Sequence, residues 1–164
     1  HLSLRRQRQM CIRDRTRFDY IFESHHGYPA ILEAQHIRPH GQAWSVDGAG
    51  GAIPVVTFDQ AHGPIRSVGY RLGPVAYSSD VSDLDEAALE AVRGADLWII
   101  DALRYTPHPT HAHVDKALDW IARARVGRAV LTNLHIDLDY NALSGSLPGN
   151  VEVAFDGWSG RFDL

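Results

Sequence analysis

The sequence predicts an α/β fold in which strands and helices alternate around a layered sheet. Three observations carry this. Short apolar runs of strand length recur between stretches of helical periodicity, the pattern that sets helices against a sheet. Gly and Pro punctuate the chain where turns are needed. Several of the apolar runs pass directly into Asp, Asn or His, so the strand ends carry the polar chemistry.

The opening "HLSLRRQRQMCIRDR" is basic and lacks the apolar stretch and small-residue cleavage site of a signal peptide. "MCIRDR" resembles one translated frame of a transposon-end adaptor used in sequencing libraries. Residues 1–15 are therefore expected to be a tail, and residues 16–164 a domain cut short upstream of Thr16. The other reading of this segment is a basic arm for nucleic acid. From Thr16 to Gly51 the sequence is loop-rich and closes with a glycine-rich turn, "SVDGAGGAIP". Ile53 to Phe58 reads as a strand, and "SVGYRLG" with "PVAYSS" as an antiparallel pair turning at Gly73-Pro74. "SDLDEAALEAVRG" reads as a helix with Ser82 or Asp83 as cap, an acidic first turn and Gly94 at its end. "ADLWIID" reads as a buried strand. "THAHVDKALDWIARAR" reads as an amphipathic helix capped by Thr110, with Val114, Leu118, Ile121 and Ala122 on one face. "RAVLT" is the next strand, "DYNALSGSLP" a short helix and "VEVAFDG" a last strand.

Composition bounds the function. A chain of 164 residues, 45% hydrophobic and 22% charged, is that of one ordinary globular domain. A net charge of −4 argues against a broad nucleic-acid-binding face, which needs surplus Lys and Arg. No apolar run approaches the roughly 20 residues of a membrane span. A single Cys excludes an internal disulfide framework and fits a reducing cytoplasm. Ten His are unusual, and their placement matters.

Asp59 and His62 follow "VVTF", Asp80 follows "VAYSS", Asp101 follows "LWII", and Asn133 and His135 follow "AVLT". If those strands are parallel, their carboxyl ends share one sheet edge, where chemistry usually sits. Imidazole and carboxylate suit zinc, manganese and iron. Each residue also has a bland duty. His62 can be a surface His, Asp80 a turn residue, His135 a satisfied buried His, and Asp101 a partner for Arg104 or for backbone amides. "YTPHPTHAHVDKA" adds His108, His111 and His113. His111 and His113 are too close to share one helix face, so at most one is expected in the site, while His108 reads as surface. A His at a helix start, with an Asp beside it, can move a proton near neutral pH.

The blocks "VVTFDQAHG", "VAYSSDVSDL", "LWIIDALRYTPHPTHAHVDKAL", "AVLTNLHIDLDY" and "FDGW", in that order, resemble the carboxyl-terminal half of the metallo-β-lactamase superfamily. The likeness is closest to the branch of the phosphoribosyl cyclic phosphate phosphodiesterase, with tRNA-processing ribonucleases more distant. The resemblance implies a partial αββα sandwich, mainly its second half. It implies His62 and Asp80 as metal ligands, Asp80 bridging two divalent ions (Zn or Mn) in the full-length protein. His111 then resembles the general acid/base and Asp101 a strand-end acid of the catalytic group. The family's His-x-His-x-Asp-His cluster is absent. The last His ligand falls at Asn133, leaving His135 to take over, or Asn133 to bind through water. The activity implied is hydrolysis of a small phosphodiester by a hydroxide held on the metals, in a cytoplasmic enzyme of which this fragment alone is inactive. The alternatives are a non-catalytic binding module on the same fold and a tRNA-processing-type ribonuclease relative. An apolar sheet face left open is expected to drive self-association as a homodimer.

Overall fold

The computed structural model describes residues 16–33 and 38–162. The tail read at residues 1–15 lies outside the described residues. The chain divides into two compact units, His1–Ile37 and Arg38–Leu164. The first holds a four-residue helix, α1 (Asp19–Phe22), closed by Glu23 N–H donating to Asp19 O, in a stretch read from sequence as loop.

The second unit is a seven-stranded sheet. Its strands are β1 (Ala43–Gly48), β2 (Gly51–His62), β3 (Ile65–Leu72), β4 (Val75–Ser78), β5 (Leu97–Asp101), β6 (Arg128–Thr132) and β7 (Val151–Val153), in that spatial order. β1 to β4 pair antiparallel, and β4 to β7 pair parallel. The turn at Gly73-Pro74 joins β3 to β4 as the sequence suggests, with Tyr70, Arg71 and Leu72 opposite Tyr77, Ala76 and Val75. Two features were not legible. β1 is a strand although it is exposed along almost its whole length, and β2 runs well past both ends of the apolar Ile53–Phe58 stretch. A long hairpin partner supplies the ladder that the side chains alone do not announce.

Helices fill the parallel crossovers: α2 (Glu86–Val92), α3 (Val114–Ala124) and α4 (Tyr140–Ser146). Trp98, Ile100 and Leu131 of the sheet pack with Ala88, Leu89 and Val92 of α2 and with Val114, Ala117 and Ile121 of α3 in one buried cluster. Each fully buried large aliphatic side chain there is worth about 1.5–3 kcal/mol of transfer free energy. Three local expectations are corrected. Asp85, not Ser82 or Asp83, caps α2 by accepting from Ala88 N–H, because the chain at 79–84 is still bound to the sheet edge. α3 begins at Val114 with His113 as its extended N-cap residue, so Thr110 does not cap it and His111 precedes the helix. Ala122 is exposed, and the buried stripe instead runs Val114, Ala117, Trp120, Ile121 and Ala124.

The face opposite the helices is less open than expected. Leu97 and Val130 are buried, although Tyr77 is 40% exposed. Near Thr57 the segment ahead of β1 folds back on β2, with Gly41 N–H donating to Thr57 O at 2.9 Å. No described helix is long and apolar enough to cross a membrane.

Candidate metal centre

β2 runs antiparallel to β3, and β3 antiparallel to β4, so β2 points the same way as β4, β5 and β6. The ends of these four strands therefore meet at one edge. His62 closes β2, Asp80 lies two residues past β4, Asp101 closes β5 and Asn133 follows β6. The long connection from β5 to α3 brings His111 to the same edge. His62, Asp80 and His111 each present a ligand atom within 4.8 Å of the other two.

Each of these side chains is held by groups the sequence does not advertise. His62 Nδ1 lies 2.7 Å from Thr110 O. A carbonyl only accepts, so Nδ1 carries the proton and Nε2 is left to bind a cation. His111 Nδ1 donates to Asp101 at 2.6 Å, freeing its Nε2 in the same way. Asp101 is completely buried and accepts besides from Asn133 Nδ2–H at 3.1 Å and Val81 N–H at 3.3 Å. Asn133 Nδ2 also approaches His111 Nδ1 at 3.3 Å, but both are donors there, so the effective bond is the one to Asp101. Asp101 does not meet Arg104, whose guanidinium donates to Thr106 O and Pro107 O within its own loop.

Asp80 sits in left-handed backbone at φ 52°, and Asn133 at φ 58°. Asp and Asn tolerate that region best among residues with a Cβ, yet the conformation still needs support. Ser67 Oγ donates to Asp80 O at 2.7 Å, and Gln60 Nε2 donates to Ser79 O at 3.1 Å. Lys116 of α3 binds Ser82 O at 2.7 Å and Asp83 at 2.9 Å, which fixes the rest of that turn. Gly63, at φ 57°, packs so closely that a Cβ there would lie 2.6 Å from Thr110 Cγ2.

His135 is placed differently. Its backbone N–H donates to Leu103 O at 2.8 Å, but its ring pairs with Asp137 at 3.0 Å and lies outside the group formed by His62, Asp80 and His111. Asn133 supports Asp101 with its amide. His113 makes no capping bond. His108, read from sequence as a surface residue, lies against His111 with the rings tilted and their centroids 5.3 Å apart. The signal that could have found it is the pair of flanking prolines, which fix the loop that carries it.

A family model described as the beta-lactamase superfamily domain matches residues 4–136. The chain belongs to that superfamily. The match starts inside the segment read as a tail. The fold is that of the metallo-β-lactamases: a diphosphatase of the PhnP family superposes with a TM-score of 0.75 at 29% identity, over 92% of this chain and 54% of that one. Human tRNase Z, short form, superposes with a TM-score of 0.53 at 19% identity, over 68% of this chain and 44% of that one, and speaks for the fold alone. An octanoyltransferase of Porphyromonas gingivalis is 26% identical over 155 residues, 93% of this chain and 30% of that protein. The chain thus spans about half or less of the relatives it matches.

Proposed function

We propose that the protein containing this chain is a metal-dependent phosphodiesterase acting on a small phosphorylated substrate. The observation that supports it is the convergence of His62, Asp80 and His111 within 4.8 Å at one sheet edge. The donor set fits a divalent cation. His62, with its Nδ1 proton committed to Thr110 O, offers Nε2, and Asp80 adds a carboxylate whose side chain is 59% exposed and lies open to a ligand. His62 and Asp80 would hold metal. Bound divalent cations supply a Lewis acid and acidify a coordinated water.

The residues of this chain do the rest. Asp101 keeps the proton of His111 on Nδ1 and stabilises the imidazolium, so that a proton on Nε2 can pass to the leaving oxygen of the ester. Asn133 keeps the Asp101 carboxylate oriented, which makes it a positioning residue rather than a ligand. The ordered turn at Asp80 costs no rearrangement when substrate arrives. His135, paired with Asp137, would bind metal only after leaving that partner. An acidic net charge favours a small substrate over RNA.

Asn133 in place of an imidazole favours a second reading, a non-catalytic binding module. Metal analysis and hydrolysis of bis(p-nitrophenyl) phosphate separate the two, in a protein carrying this chain together with a His-x-His-x-Asp-His segment. Metal-dependent turnover, reduced at least about 100-fold in Asp80→Asn with loss of bound metal, is expected. A protein that binds two metals and turns nothing over belongs to the second reading. One that binds no metal and turns nothing over likewise excludes the first reading and leaves the second.

A further inference from the structure

His108 has no part in the scheme above, yet its surroundings prepare it for one. It lies between Pro107 and Pro109, in a loop braced by Arg104. Thr110 N–H points at His108 Nδ1 from 3.3 Å, and Thr110 Oγ1 lies 3.2 Å from the same atom. A backbone N–H can only donate, so Nδ1 is an acceptor and the ring proton of the neutral imidazole resides on Nε2. That Nε2–H has no protein acceptor among the described residues, and the ring is only half-buried. Thr110 thus holds both rings in place: its carbonyl takes the Nδ1 proton of His62, and its amide fills the Nδ1 lone pair of His108. The two neighbouring histidines are thereby fixed in opposite tautomers, one offering a lone pair and the other a proton. A lone pair suits a cation. A proton suits an anion.

Resting on the phosphodiesterase reading, we propose that His108 is a substrate-binding residue, donating Nε2–H to a non-bridging phosphate oxygen while His111 serves the leaving oxygen. The ring, tilted against that of His111 with centroids 5.3 Å apart, lies beside the proposed chemistry. Desolvation, then the charges of Arg104 and His111, lower the pKa of His108 from the usual histidine value. Arg104, anchored by bonds from Nε to Thr106 O and from Nη2 to Pro107 O, lends positive potential to the loop. No proton is transferred by His108; it makes a charge-assisted hydrogen bond to the phosphate, equal in the ground and transition states.

The structural alternative is that His108 merely braces its loop through Thr110. His108→Asn distinguishes the two, because an amide oxygen can take over the bond from Thr110 N–H, yet Asn offers no donor at the Nε2 position. His108→Gln reaches that position with an amide N–H. In the metal-loaded full chain, His108→Asn is expected to raise KM and the dissociation constant of inorganic phosphate about tenfold. Metal content and kcat should change little, and His108→Gln should recover part of the loss. Phosphate binding is followed by ³¹P NMR line broadening, so the test does not depend on turnover. If His108→Asn binds phosphate as tightly as the wild type, the assignment is overturned, whatever the enzyme hydrolyses. If the wild type binds phosphate and His108→Asn does not, while no phosphodiester is turned over, the assignment stands and the proposed function fails.

Discussion

At the amino edge of the parallel strands the turns are held by backbone bonds and by arginine side chains, with Arg71 donating to Gly73 O at 2.6 Å and to Arg93 O at 3.2 Å and Arg93 to Arg123 O at 3.2 Å. Gly94 N–H donates to Ala124 O at 3.0 Å, and Gly127 N–H donates to Ala95 O at 2.8 Å. At the carboxyl edge the same kinds of connection are held by side chains: Asp101 by three donors, Asp80 by Ser67, His62 by Thr110. Left-handed backbone does not separate the two edges, since Arg125 at φ 52° ends α3 near the amino edge in an ordinary helix-terminating geometry. A buried carboxylate does. Only stored polar organisation of this kind costs stability without adding to the core, and it is found where ligand atoms converge.

The largest effect expected from this contrast is at Asp101. Asp101→Ala strands the Nδ1–H of His111, the amide of Asn133 and the N–H of Val81 around a buried gap, and should destabilise the fold by about 3 kcal/mol. Urea unfolding measures it. A loss below about 1 kcal/mol would mean that water replaces the carboxylate freely and that the edge is not organised around it.

A pair of glycine substitutions sharpens the comparison at intermediate size. Gly63→Ala forces a left-handed φ on a residue with a Cβ and pushes on Thr110 from 2.6 Å, whereas the nearest atom to a Cβ in Gly127→Ala is Asp96 O at 3.2 Å. Both should cost about 1–2 kcal/mol. Only Gly63→Ala should disturb the tautomer of His62, because Thr110 carries the acceptor for its Nδ1–H. Long-range ¹⁵N–¹H spectra of the histidine rings read this directly. Equal spectra for the two variants would dissociate the β2–β3 turn from the site.

The layered α/β fold and the turn at Gly73-Pro74 were legible because period, length and punctuation agree there, whereas the parallel direction of β4 to β7 was not. The gathering of polar residues at strand ends was legible too, given a parallel arrangement. What was not legible depends on distance along the chain. The bond of Ser67 to Asp80 O joins residues 13 apart, and that of Asn133 to Asp101 joins residues 32 apart. Asn133 looked like a ligand position because its place after β6 was visible, but the direction of its amide was not. Thr110 reads as a helix cap by its neighbours, yet the helix starts four residues later, once the loop has fixed two histidines with the backbone of Thr110. His108 was hidden for the same reason.

The smallest effect lies away from the site, where β6 and β7 carry a polar cluster of the opposite kind. Arg128 clasps Glu152, with Nη2 donating to Oε2 at 2.8 Å, and Trp158 Nε1–H adds a bond at 3.3 Å. The hydrogen bond from Arg128, more than any other influence, holds the Glu152 carboxyl below the usual carboxylate range. A depressed folded-state pKa means that the unfolded chain binds the proton more readily. The contribution is therefore whole above the ordinary Glu value and is lost as pH falls through the folded pKa. Because the Glu152 side chain is 42% exposed, solvent screens the pair, and Glu152→Gln should cost only about 0.5 kcal/mol at pH 7. The difference from wild type should shrink toward pH 3 and in 1 M salt, followed as the shift in thermal midpoint. A deficit that persists in acid would show that the loss comes from packing of Trp158 against the Arg128 side chain rather than from charge, and would bring this exposed cluster closer in character to the buried one around Asp101.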